Sequence, residues 1–254
     1  MIAAPAGGPA LRSGKALATA TALLVEPVLA AVFPTRCPVC ATWLDRPLRG
    51  PLCDPCWRSL PRHRSPACGC GLPAPGAMAC VRCRRGHAPF AAGASFGPYE
   101  GGLRTLVHEL KYHGRRRVAA RLAEVLLAEE ATGQLLVPGS VLVPVPLHPL
   151  RRHERGFNQS ELLARELARR SGLAVSDALV RRKDTTPQTG LSAAARRRNV
   201  AGAFAVRKRA AVAGRVVILV DDVLTTGATA MACGRALHEA GVDEVRLLTV
   251  ARVV

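Results

Sequence analysis

Apolar positions along the chain repeat with two periods. Leu17, Thr21, Leu24, Val28 and Val32 recur at helical spacing and predict an amphipathic helix over residues 15–32, broken near Pro27. From Phe90 on, strands and helices alternate. Ala91–Tyr99 reads as a short strand, Leu103, Leu106, Val107 and Leu110 as one helix stripe, and Leu122, Val125 and Leu126 as a second. Val141–Val145 is a compact apolar strand closed by prolines, and Leu162, Leu163 and Leu167 mark a helix behind Asn158–Ser160. Ser192 fits the cap of a short basic helix reaching Arg198. Val216–Val220 is apolar throughout, as a strand buried on both faces must be; a helix to Ala240 and a strand from Glu244 to Val253 follow. This order predicts an α/β domain, a mostly parallel sheet flanked by helices.

Between these regions, residues 34–88 show little periodicity, many prolines and a run of cysteines; Arg is common there, Lys and Glu are absent, and Asp45 and Asp54 are the acids. A metal-stapled module with a basic surface accounts for that texture. The expected organisation is therefore a disordered start and amphipathic helix over 1–33, a cysteine-rich zinc-binding module over 34–88, and a larger domain over 89–254. Hydrophobic residues make up 49% of the 254, which excludes wholesale disorder. The most apolar stretch, Ala16–Phe33, is interrupted by Glu26 and Pro27, which argues against a membrane span. With 36 Lys and Arg against 18 Asp and Glu, the formal charge is +18, so the expected partners are anionic.

Eight of the 9 cysteines fall between Cys37 and Cys83. Cys37-x2-Cys40 and Cys53-x2-Cys56 are two knuckles whose four thiolates suit one tetrahedral zinc, the spacing of a zinc ribbon. The second cluster, Cys68-x-Cys70 with Cys80-x2-Cys83, is less regular, and a one-residue gap leaves less room to turn both sulfurs toward one ion. The alternative for all eight is a disulfide framework, which needs an oxidising compartment. The interrupted apolar run and the lack of a small-residue cleavage site before the cysteines favour cytoplasmic zinc. Cys233 stands alone in a helical stretch and reads as a small buried hydrophobe.

The segment VVILVDDVLTTGATA, residues 216–230, carries the most chemistry. A buried strand brings Asp221 and Asp222 to the carboxyl edge of the sheet, where ligands of open α/β sheets bind. Thr225, Thr226, Gly227, Ala228 and Thr229 then open a helix: small residues let backbone N–H groups close on an anion, and the hydroxyls add donors. Paired acids beside a phosphate site suit diol hydroxyls or a Mg2+ held with substrate oxygens. A phosphorylated sugar with a free cis-diol matches both halves. An ordinary helix-capping turn accounts for one acid and one Thr, not for two acids and three hydroxyl residues around one glycine.

Over Val217–Thr229 this segment resembles the phosphoribosyl pyrophosphate signature of type I phosphoribosyltransferases. Together with VPVPLHPLRRHERGFNQSELLA (143–164), RRKDTTPQTGLSAAARRRNVAGAF (181–204) and the cysteine-rich module, the chain resembles the ComF (competence protein F) family from about residue 28 to 254. The resemblance implies a type I phosphoribosyltransferase-like fold with an N-terminal zinc ribbon. It implies that Asp221 and Asp222 meet the ribose hydroxyls, directly or through metal, that Thr225–Thr229 hold the 5′-phosphate, and that the turn after Val143–Val145 lies against pyrophosphate. Residues 183–199 become the candidate for a closing loop. Relatives with the second cluster more often show C-x2-C-G where this chain has Cys68-Gly69-Cys70-Gly71, which makes Cys70, Cys80 and Cys83 the expected ligands of a second zinc. Purine-salvage relatives carry Asp where this chain has Thr225, so simple purine salvage is not expected and no residue stands out as a catalytic base.

Of the basic stretches, Arg155 in ERGFNQ is the most pointed: arginine forks suit pyrophosphate oxygens, and Asn158 can cap the helix that follows. Arg151 and Arg152 fit a solvated face equally well, and Lys111, near a helix end, fits dipole stabilisation as well as anion contact. His113, His148 and His153 lack ligand-like partners and read as structural or surface residues. Two functions fit these residues. One is Mg2+-dependent phosphoribosyl transfer from phosphoribosyl pyrophosphate to an unidentified acceptor. The other is non-enzymatic handling of single-stranded DNA, or sensing of the donor.

Overall fold

The computed structural model describes residues 26, 28, 30–32, 34–63, 68, 80–84, 88–113, 116–183 and 202–253. Of the expected first helix, residues 26, 28 and 30–32 are helical; its earlier turns, Cys70, and the expected Ser192–Arg198 helix lie outside the described residues. No helix among the described residues is long and apolar enough to cross a membrane.

In chain order the elements are α1 (Asp54–Arg58), α2 (Val81–Arg84), β1 (Ala92–Pro98), α3 (Gly101–His113), α4 (Arg116–Leu127) and α5 (Glu130–Leu135). Then come β2 (Val141–Pro144), α6 (Pro149–Arg155), α7 (Gln159–Ser171), β3 (Ala174–Val175), β4 (Leu179–Arg181) and β5 (Phe204–Val206). The last three are β6 (Val216–Leu224), α8 (Ala228–Glu239) and β7 (Glu244–Arg252). Five strands form one parallel sheet in the order β1-β7-β6-β2-β3, and β4 with β5 forms a separate antiparallel hairpin.

The alternating pleat sorts the sheet residues into two cores. On one face, Ile218, Val220, Leu248 and Val250 pack in one cluster with Leu103 and Leu110 of α3, Leu122 of α4 and Leu163 of α7. On the other, Val217, Leu219 and Leu247 pack with Met231 and Leu237 of α8 and with Leu179 and Phe204 of the hairpin. Val217–Val220 are wholly buried, as their unbroken apolarity predicts. Cys233 is also fully buried, as its isolation in α8 predicts. The sequence pattern did not announce α5, α6 or the hairpin. α6 carries Arg151, Arg152, His153 and Arg155 in place of an apolar stripe, and each hairpin strand has three residues.

The cysteine segment adds to both cores. Leu44, Leu52, Trp57 and Leu60 join the cluster under α3, whereas Cys68, Cys80 and Phe90 join the one under α8. Residues 61–63 lie along the free edge of β1: the His63 N–H donates to the Phe96 carbonyl at 3.0 Å. At Gly97 the approach is closer still, since a Cβ there would stand 1.9 Å from the Pro61 carbonyl oxygen. Backbone cannot yield as a side-chain tip can. Gly97→Ala is therefore expected to lower stability by about 1–3 kcal/mol, read as a fall in the chemical-denaturation midpoint. Gly133→Ala in α5, where a new Cβ meets nothing within 4 Å, serves as the control and should hold or raise the midpoint.

Candidate functional site

The site forms where two neighbouring strands part. β2 pairs with β6 only as far as Pro144 opposite Val220, and Val145 N–H closes the ladder on the Val220 carbonyl at 2.9 Å. β6 continues to Leu224 with β7 as its partner, Asp221 lying opposite Thr249. The chain leaving β2 crosses to the α7 face on its way to β3, and the chain leaving β6 crosses to the α8 face on its way to β7. The two connections diverge, and the crevice between them is the switch point at which open α/β sheets bind ligands.

A cavity of about 230 Å³ lies at this point, lined in part by Tyr99, Lys111, Asp221, Thr225, Gly227 and Thr229. Two larger hollows also occur among the described residues. The two larger ones, of about 630 and 660 Å³, lie along the cysteine module and include Arg36 and Arg117, and Arg49 and Arg58, respectively. They lack the acid-and-threonine loop that lines the smaller cavity.

The two acids are placed differently. Asp221 is half-buried on the cavity wall; its Oδ1 accepts from Ser160 Oγ at 3.0 Å and from the Asp222 N–H at 2.9 Å. Burial, reinforced by the neighbouring Asp222 charge, pushes its carboxyl up to about 7. Asp222 is 4% exposed and does not line the cavity; its Oδ1 accepts from the Val223 N–H at 2.8 Å, and its Oδ2 lies 2.9 Å from Lys111 Nζ. Successive strand residues point to opposite sides, and of the two acids Asp221 lines this cavity while Asp222 does not. Burial alone would lower the Lys111 ammonium, but the Asp222 carboxylate outweighs it and raises it.

The loop behaves as its residues dictate. Gly227 adopts φ 72° at the N-cap of α8, a left-handed conformation that Gly adopts without penalty. Ala228 N–H reaches Thr226 Oγ1 at 3.4 Å, and Met231 N–H closes the first turn on the Gly227 carbonyl at 2.8 Å. Thr225, Gly227, Ala228 and Thr229 line the cavity, whereas Thr226 turns to capping. Arg155 does not line it either: its guanidinium sits 5.4 Å from the Tyr112 ring centre and reaches Gln159 Oε1 at 3.4 Å. Asn158 caps α7 as expected, accepting from Ser160 N–H at 3.1 Å, and its amide donates to the Val145 carbonyl at 3.0 Å. Two site residues escaped the sequence reading. Ser160 carried no signal beyond its place in the first turn after a cap, and Lys111 had offered two readings of equal weight.

In the cysteine module, Cys37, Cys40, Cys53 and Cys56 present sulfurs that all lie within 4.8 Å of one another, Cys40 and Cys53 at 3.5 Å. Tetrahedral Zn–S bonds of about 2.3 Å place sulfurs about 3.8 Å apart, so the donors fit zinc. The first knuckle is shaped by Ala41 N–H on the Cys37 carbonyl and Cys37 N–H on the Thr42 carbonyl, both at 2.8 Å. Cys68, Cys80 and Cys83 form a second group within the same limit. Cys68, which the family resemblance had left aside in favour of Cys70, stands with Cys80 and Cys83, its Sγ 3.3 Å from that of Cys83.

Comparison with known proteins agrees with this architecture. The phosphoribosyl transferase domain family matches residues 156–253, and the double zinc ribbon domain family matches residues 28–84. The DNA utilization protein YhgH of Salmonella typhimurium is 37% identical over 210 residues, 80% of this chain and 91% of that protein. Competence protein F of Haemophilus influenzae is 32% identical over 228 residues, 87% of this chain and 98% of that protein. Among solved structures, a glutamine phosphoribosylpyrophosphate amidotransferase from B. subtilis aligns over 56% of this chain and 30% of its own at 22% identity, with a TM-score of 0.39.

The raised Asp221 carboxyl has a consequence for stability. Between about pH 4 and about pH 7 the unfolded chain has released this proton while the folded chain retains it, so the group's contribution to stability falls as pH rises through that window. Asp221→Asn keeps an acceptor for Ser160 and carries no charge. It is expected to be more stable than the wild type at about pH 8 and no more stable at about pH 4, measured by urea unfolding at both.

Proposed function

This chain belongs to the ComF (competence protein F) family, and from that premise we propose that it binds phosphoribosyl pyrophosphate with Mg2+ and transfers the phosphoribosyl group to an acceptor, in the cytoplasm and in a DNA-uptake setting. The observation that carries this reading is the cavity at the strand parting, where a carboxylate, an ammonium and the opening turn of α8 converge. The turn suits the 5′-phosphate: its N–H groups and hydroxyls donate, and the helix start favours negative charge. Asp221 suits a sugar hydroxyl. Mg2+ would travel on the donor's own pyrophosphate oxygens and supply charge stabilisation to them, since Asp222 is engaged by Lys111. In the transfer, the C1–O bond to pyrophosphate breaks with its electron pair leaving on pyrophosphate, the acceptor bonds to C1, and the acceptor's proton passes to solvent. The residues contribute by holding the sugar in line and by meeting its charge. Cys37, Cys40, Cys53 and Cys56 would hold one structural Zn2+, and Cys68, Cys80 and Cys83 are three donors for a second.

Isothermal titration with phosphoribosyl pyrophosphate and Mg2+ tests this reading. The wild type should bind, and Asp221→Asn should weaken binding by about tenfold or more, the equivalent of one hydrogen bond to a charged group. Absence of binding by the wild type, or binding indifferent to that change, removes it.

A second activity is favoured by the two larger hollows, which meet at Arg117 and carry Arg36, Arg49, Arg58, Arg62 and Arg121 between them. That basic seam suits the phosphate backbone of single-stranded DNA. Fluorescence anisotropy with a labelled oligonucleotide should show affinity falling steeply between about 50 and about 200 mM salt, with a shallower slope for Arg49→Ala/Arg58→Ala/Arg117→Ala. A flat salt response in the wild type excludes a backbone-driven contact.

A further inference from the structure

Lys111 stands near the C-terminal end of α3, with 23% of its side chain exposed, and its Nζ lies 2.9 Å from Asp222 Oδ2. The same side chain lines the cavity together with Asp221. An ammonium has three N–H donors; Asp222 takes one, which leaves donors at the cavity wall. Asp221 shows the complementary pattern. Its Oδ1 accepts from Ser160 and from the Asp222 amide, and its Oδ2 has no partner among the described residues. The cavity lining therefore offers both a donor and an acceptor.

Two facing carboxylates could only accept hydrogen bonds. A donor beside an acceptor grips a single hydroxyl, which gives its proton to one and a lone pair to the other. We propose that Lys111 is a specificity-determining residue of this site: it anchors Asp222 beneath the strand end and, paired with Asp221, forms a donor–acceptor couple that selects a phosphorylated ligand bearing a free sugar hydroxyl. The inference rests on the phosphoribosyl reading and goes beyond it by assigning hydroxyl recognition to one acid and one ammonium in place of two acids.

The test uses the full chain and two probes, inorganic phosphate and ribose 5-phosphate, titrated calorimetrically with thermal unfolding measured in parallel. Inorganic phosphate reports the loop alone, and the preference for ribose 5-phosphate over it reports the hydroxyl contacts. Lys111→Met should unfold at lower temperature, because it leaves Asp222 buried without its cation. The double variant Lys111→Met/Asp222→Asn removes both charges and should recover the unfolding temperature and the phosphate affinity. It should still lose about tenfold to a hundredfold of the preference for ribose 5-phosphate. Lys111→Arg, which keeps a cation with spare donors, should restore part of that preference. If the double variant keeps the wild-type preference, Lys111 serves only to neutralise Asp222 and the proposal fails while the phosphoribosyl reading stands. If the wild type binds neither probe, the phosphoribosyl reading fails and this proposal falls with it.

Discussion

The site depends on one geometric mismatch: β2 stops at Pro144 while β6 runs on to Leu224. Up to Val220 the central strand is hydrogen-bonded on both sides and buried on both faces, and nothing polar is tolerated there. Past Val220 the β2 side of β6 opens, and a charge can reach a solvent-accessible space without leaving the ladder to β7. Pro144 and Pro146 reinforce the stop, because a proline has no N–H with which to continue the pairing. Asp221 is the first residue beyond the stop, which explains why it, and not a residue further along, stands on the cavity wall.

The acid pair then divides by environment. Strand alternation turns Asp222 toward α3, where Lys111 meets it, while Asp221 accepts from Ser160 on α7 and from its own neighbour's amide. A buried carboxylate without a cation is strongly unfavourable, so the Lys111–Asp222 pair makes the second acid tolerable beneath the strand end. Asp221 has Lys111 nearby but not in contact, and it relieves its burial partly by holding a proton up to about pH 7. Adjacent residues of one type thus sit in different surroundings: Asp222 is paired with Lys111 beneath the strand end, and Asp221 stands on the cavity wall.

Features written in contiguous residues were legible before the structure. The unbroken apolar run of β6, the glycine that opens α8, the Asn158 cap and the Cys37–Cys56 knuckles each state their geometry within a few positions. The sheet as a whole followed from alternation of apolar segments. Features made by tertiary contact were not legible. Lys111 and Asp222 are paired across four strands and the helices between them, and no local pattern encodes which lysine finds which acid. α6 forms although its face is basic, because Pro149 fits the first helical position, His148 accepts from Leu150 N–H, and Gly156 closes the end in a left-handed conformation. The hairpin's three-residue strands fall below the length at which period-two alternation can be recognised. The opposite facing of Asp221 and Asp222 was available in principle from strand periodicity. It required knowing that β6 stays a strand through both acids.

The cysteine module bears on the site through the same two cores. Its first half places Leu52 and Leu60 against Gly102, where a Cβ would already meet Leu60 at 3.0 Å, at the start of the helix that carries Lys111. Its second half runs into Pro89 and Phe90, which press on Gly234 so closely that a Cβ there would stand 2.7 Å from the Pro89 ring, while His238 Nε2 lies 2.9 Å from the Pro89 carbonyl. Gly234 and His238 belong to the helix whose first turn lines the cavity. The two cysteine groups therefore brace, from opposite faces of the sheet, the two helices that deliver Lys111 and the turn after Gly227 to the cavity. A chain with 4% aromatic residues has few large side chains with which to fix helix positions by packing alone. Metal-stapled segments whose side chains seat closely against helix glycines supply that rigidity by a different route.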